Sequence, residues 1–161
     1  MKIKQFLMIA IASWTYLHGP TAFAQVCDSV TVGSTDVAMI GTPPDNDANL
    51  SMVAIQFCDG AVKGQWQDTF AKGEVAVHIK VTCVVVDNNN AWVGGVIKRA
   101  SRGFQFFIGV PVITRVEDNG NAANGGIDKA SLLFPTADDQ DCLLKPDLPL
   151  FDLSNGEVRI N

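Results

Sequence analysis

The clearest pattern in the chain runs from Glu74 to Val86. Val75, Val77, Ile79, Val81, Cys83 and Val85 fall on one side, and Glu74, Ala76, His78, Lys80 and Thr82 on the other. A sustained period of two, rich in β-branched side chains, predicts a strand buried on one face. It puts Cys83 on the apolar face, where a structural disulfide would sit, and His78 on the polar one. Upstream, Val53, Ile55 and Phe57 form a similar apolar set alternating with Met52, Ala54 and Gln56, and Asp59-Gly60 supplies a tight turn. Val62, Gly64, Trp66 and Phe70 then alternate with Lys63, Gln65, Gln67 and Thr69. The pair predicts a β-hairpin with Trp66 in the core.

Turns at Lys72-Gly73 and Asp87–Asn90 bracket the long strand, and a further strand is predicted over Ala91–Arg99. After Ser101-Arg102-Gly103 comes Phe104–Glu117, where Phe104, Phe106, Ile108, Val110, Val112 and Val116 share a parity. Pro111 cannot donate to a ladder, so it marks an edge, a bulge or a break into two strands. Residues Asp118–Asp128 carry no period, and Ala130–Phe134 and Glu157–Ile160 read as short closing strands. Nothing between Gln25 and Asn161 repeats every 3.6 residues. The expectation is an all-β fold, an antiparallel meander of about seven or eight strands joined by short turns. It would end as a closed or partly closed β-barrel, with a two-sheet β-sandwich as the alternative. Gly94-Gly95 in mid-strand suits the coiling that closure requires.

The N-terminus stands apart from this pattern. Lys2 and Lys4 precede an apolar run from Phe6 to Ala12, Pro20 breaks any helix, and Ala22-Phe23-Ala24 has the small-x-small form that signal peptidase accepts. The reading is a signal peptide over residues 1–24, cleaved after Ala24, and a single domain over 25–161 that is secreted or periplasmic. The run is too short and too interrupted for a membrane span, which needs about 20 apolar residues. The whole chain has 161 residues and a net charge of −5; without Lys2 and Lys4 the charge becomes −7. That balance argues against nucleic acid and anionic lipid as partners, since an acidic surface repels both.

Cys27, Cys58, Cys83 and Cys142 all lie beyond the leader. In an oxidising compartment an even count predicts two disulfides, and the absence of any C-x-x-C spacing argues against a zinc knuckle or a redox site. Three pairings are possible and the residues alone do not choose. We favour Cys27–Cys58 with Cys83–Cys142, which closes one N-terminal and one C-terminal loop.

Taken together, Val81-Thr82-Cys83, Asn90-Ala91-Trp92-Val93-Gly94-Gly95-Val96 and Glu117-Asp118-Asn119-Gly120 form a pattern. It resembles a largely uncharacterised group of small secreted bacterial β-domains with a valine-rich strand ending in cysteine, an A-x-x-G-G strand, a D-N-G loop and a C-terminal cysteine. The resemblance spans about Ser51 to Cys142, leaves Cys27 outside, and implies the Cys83–Cys142 pairing. It carries no activity.

Candidate chemistry is sparse. His78 is the only histidine beyond the leader, and no nucleophile elbow accompanies it, so a solvent-facing strand position is its ordinary reading. On a barrel lining it would instead face a pocket. Trp92 shares a parity with Lys98 and is the better candidate for an exposed aromatic that stacks on a sugar; burial is the commoner fate. Calcium takes oxygen ligands, which makes Asp118, Asn119 and Asp128 a candidate metal loop, against the simpler reading of a turn whose side chains cap their own backbone. Asp45-Asn46-Asp47 opens like a calcium loop but lacks the glycine and the distal glutamate. No cofactor is otherwise expected.

These features point to a secreted non-enzymatic β-domain that binds a ligand or partner, whether a glycan, a small apolar molecule or a protein. One alternative is a small barrel enzyme of cyclase or isomerase type with an internal pocket. Another is a calcium-stabilised structural or inhibitory module.

Overall fold

The computed structural model describes residues 24–37, 49–70, 75–120 and 126–161. Residues 1–23, nearly all of the expected leader, and the Asp45–Asp47 loop lie outside them. Nine strands appear: β1 (Val26–Val37), β2 (Asn49–Phe57), β3 (Val62–Phe70), β4 (Val75–Asp87), β5 (Asn90–Ala100), β6 (Pro111–Glu117), β7 (Lys129–Ala130), β8 (Phe134–Pro135) and β9 (Phe151–Ile160). Two short 3-10 turns, η1 (Gln105–Phe107) and η2 (Asp141–Leu144), are the only helical elements among the described residues.

The sheet runs β5-β4-β3-β2-β1-β9-β7-β6, and β6 returns to β5. Every pairing is antiparallel, so the expected meander forms a nearly closed barrel. Closure leaves few raw strand edges. Trp66, Met52, Ile97, Val30, Val77 and Val93 are among the fully buried side chains that fill its interior.

Several sequence expectations change. In β2 it is Leu50, Met52 and Ala54 that turn inward, while Val53 is exposed and Ile55 and Phe57 are half-buried. Both sides of this strand are apolar, so its own alternation could not decide. The β3 register decides it: Met52 lies opposite Trp66 and Val53 opposite Gln65, and β3 has only one apolar side. Phe57 instead packs beneath Lys63, whose Nζ stands 5.4 Å from the ring centre.

The alternation of β4 also breaks. A bulge between Val81 and Cys83 shifts the facing by one residue, so Val84 joins the interior while Cys83 points outward. There it meets Cys142. A bulge adds one residue to one strand and reverses the parity beyond it.

Residues 104–110 are not strand. Phe104 to Val110 forms η1 and its flanks, and β6 begins at Pro111, where a missing N–H breaks the ladder. Strand β1, whose Ser, Thr and Gly positions carry little hydrophobic alternation, adds to the predicted set, and β9 extends well before Glu157.

A second, smaller core lies on the outer face of β4, β5 and β6. Cys83, Trp92, Ile113 and Cys142 are buried there beneath the segment carrying η2, with Phe134 and Leu148 against them. Gly94 permits this close cover: a Cβ there would stand 2.8 Å from the Asp139 carbonyl oxygen. Both favoured disulfides are present. Cys27–Cys58 and Cys83–Cys142 bridge Cα atoms 5.0 and 6.1 Å apart, within the normal range. Such bonds suit an oxidising, extracytoplasmic setting, and no helix among the described residues is long and apolar enough to cross a membrane.

Candidate functional site

The outer face of β2–β5, beyond the cover of η2, holds a candidate surface with polar chemistry concentrated on it. Alternation sends Ser51 outward from β2, Gln65 and Gln67 from β3, and His78 and Lys80 from β4. Cross-strand register stacks them: Ser51 lies beside Gln67, Gln67 beside His78, and Gln65 beside Lys80. A second bulge, between His78 and Ile79, sets Arg99 opposite His78 and adds Lys98 as the extra residue of β5. Two consecutive residues of β5 thereby stay exposed.

The result is a concavity of about 500 Å³ bordered by these residues and Val53. None of the described residues that line it is a carboxylate, although Asp and Glu outnumber Lys and Arg by 17 to 12 in the chain. Among the described residues, the ion pairs are Arg115–Asp147, Lys129–Asp152, Lys145–Asp87 and Arg159–Glu157. Lys80, Lys98 and Arg99 belong to none of them. A cluster of unneutralised cations with two amides and a hydroxyl can hold anionic groups and the hydroxyls between them.

His78 is therefore on the exterior, exposed, as the polar face of β4 implied. Trp92 corrects its expectation: it does lie on the outer face, yet only 7% of it is exposed. Its indole N–H donates to the Pro146 carbonyl at 2.8 Å, and the Arg115 guanidinium sits 5.3 Å from the ring centre. Strand parity gave the side correctly; cover came from a segment more than 40 residues away along the chain, as that bond to Pro146 shows.

The Asp118-Asn119-Asp128 set also comes together, as a clasp of backbone donors. Asp128 accepts from the N–H groups of Asn119 and Val158 at 2.8 and 2.7 Å. Asp118 accepts from those of Gly120 and Ile160 at 2.9 and 3.1 Å, and the Asn119 side-chain amide donates to the Ile127 carbonyl at 2.8 Å. This is the capping role, extended to strand β9. No group of three His, Cys, Asp or Glu side chains suited to a metal occurs among the described residues.

Asp68 escaped the sequence reading. It shares the inward parity of Trp66, opposite Leu50 and Val77, both buried. Burial pushes its carboxyl up to about 7, opposed by a hydrogen bond from the Thr69 backbone. Its signal was available: an acid inside the apolar set Val62, Gly64, Trp66, Phe70. The Trp66 indole N–H, two residues away on the same face, is buried without a partner among the described residues.

No known protein family, curated protein or solved structure matches this chain.

Proposed function

We propose that this protein is an exported, non-enzymatic binding domain whose ligand is an acidic glycan held on the outer face of β2–β5. The observation that carries the reading is a concavity bordered by Lys80, Lys98, Arg99 and His78, with no carboxylate among its described lining residues, on a net acidic chain. The cations would meet uronate or sulfate groups, and Ser51, Gln65 and Gln67 the sugar hydroxyls between them. Paired strands hold every one of these side chains, so little ordering accompanies binding. The leader over residues 1–24 would deliver the chain to the compartment its disulfides suit.

The alternative of a barrel enzyme with an internal pocket draws no support from an axis filled by Trp66, Met52 and Ile97. The calcium-stabilised alternative draws none from carboxylates already engaged by backbone donors.

Titration calorimetry with polygalacturonate and with its neutral methyl ester tests the reading. We expect binding to the acidic polymer only, weakening steeply with salt, and lost in K80Q/K98Q/R99Q. Equal uptake of both polymers, or of neither, would overturn it.

A further inference from the structure

The loop between β5 and β6 carries a second surface, separate from the concavity. Phe104, Phe106 and Phe107 cluster there, with the Phe106 and Phe107 ring centres 4.3 Å apart and Phe104 stacked on Phe107 at 6.4 Å. Phe107 packs into the barrel core and anchors the loop. Phe106 and Ile108 face the other way, 70% and 48% exposed. Two glycines flank this tip, Gly103 and Gly109, with φ of +92° and +93°, and a Cβ on either would meet nothing within 4 Å. The tip therefore projects as an apolar knob.

Its electrostatics are equally one-sided. From Asn88 to Val116 the chain contains no Asp or Glu, and Arg102 lies in the tip's own loop. Arg102 is exposed, four residues before Phe106, and belongs to no ion pair among the described residues. Aromatic and aliphatic side chains on a projecting tip, with a cation at its base, match the layering of a bilayer interface. Apolar groups sink to the acyl boundary and the guanidinium stays at the phosphates. A protein partner would need a pocket to receive the knob, whereas a lipid interface needs only an apolar tip with a cation beside it. The net negative charge of the whole chain does not forbid approach, since repulsion from remote acids decays over a Debye length of about 10 Å.

We propose that the β5–β6 tip docks this protein on an anionic lipid surface, with Phe106 and Ile108 entering the interface and Arg102 at the headgroups. The inference is independent of the glycan reading. Co-sedimentation of the leader-free protein with phosphatidylcholine vesicles, and with vesicles that also contain phosphatidylglycerol, tests it. Binding is expected only with phosphatidylglycerol present, reduced about tenfold in F106S by loss of apolar burial. R102Q should reduce it about fivefold. F106W should bind at least as well as the native protein, which guards against a folding defect in F106S. F106S should leave binding to polygalacturonate unchanged, so either proposal can fail alone. No sedimentation of the native protein, equal sedimentation with both vesicle types, or full binding by F106S would overturn the inference.

Discussion

The carboxylate of Asp128 accepts the backbone N–H of Val158 at 2.7 Å, deep enough that only 6% of Asp128 is exposed. One side chain thus ties the loop before β7 to the strand that seals the barrel, while its other oxygen holds Asn119. Asp128→Ala would leave two backbone donors without an acceptor, at a cost of about 2–4 kcal/mol. Asp128→Asn, which keeps one acceptor oxygen, should cost roughly half of that. Guanidinium unfolding midpoints check both values. Calcium and chelator should leave the native unfolding temperature unchanged, because these carboxylates are already occupied.

Asp68 makes stability depend on pH in the direction opposite to ordinary acid denaturation. Its carboxyl rises from 3.8 in the unfolded chain to about 7 in the fold. The folded state therefore binds the proton more tightly, and the stabilisation is complete below about pH 4 and lost as pH rises through 7. Three units correspond to at most about 4 kcal/mol, and partial contact with water lowers that to roughly 2–4. Asp68→Asn should remove this dependence. The difference between native and D68N stability, measured by denaturant at pH 5 and pH 8, is expected to change by about 1–2.5 kcal/mol, the part of that loss which falls between the two pH values.

The two disulfides should respond differently to reductant. Cys27 and Cys58 are both exposed, whereas Cys83 and Cys142 are buried in the outer core. Under mild reduction followed by alkylation, mass spectrometry should find Cys27 and Cys58 labelled first, since thiol exchange needs access to the sulfur. Replacing Cys83 and Cys142 by serine should cost about 2–5 kcal/mol and loosen the cover over Trp92.

Gly95 is the tightest point of the β4–β5 pair. A Cβ there would lie 2.5 Å from the Lys80 carbonyl oxygen and 2.6 Å from Ile79 Cγ2. Gly95→Ala should destabilise by about 1–3 kcal/mol through overpacking, read as a lowered unfolding temperature. Gly103→Ala is the contrasting case: it meets no neighbour and strains only its positive φ.

What could be read in the chain follows from what alternation can encode. The β3 and β4 faces were legible because polar and β-branched residues truly alternate there, up to the bulge at Thr82. The inward side of β2 was not, because Met52 and Val53 are both apolar and only pairing with Trp66 and Gln65 separates them. Phe104, Phe106 and Ile108 imitate a strand by spacing alone; the glycines on either side, with their positive φ, take the chain out of the ladder. The concavity was half legible. His78 and Lys80 could be placed outside, but Lys98 and Arg99 join them through a bulge, which has no periodic signature. The burial of Trp92 depends on Pro146, and strand parity says nothing about which remote segment lies on top.

Strand β9 slips between β1 and β7, so Ile160 comes to lie against Val30. The earliest described strand can complete its pairing only when the last one arrives. A polypeptide emerging from an export channel would thus carry an unzipped seam for most of its passage, open to similar chains. For the exported domain proposed above, this circular strand order would call for escort by a holdase during translocation, or rapid release afterwards.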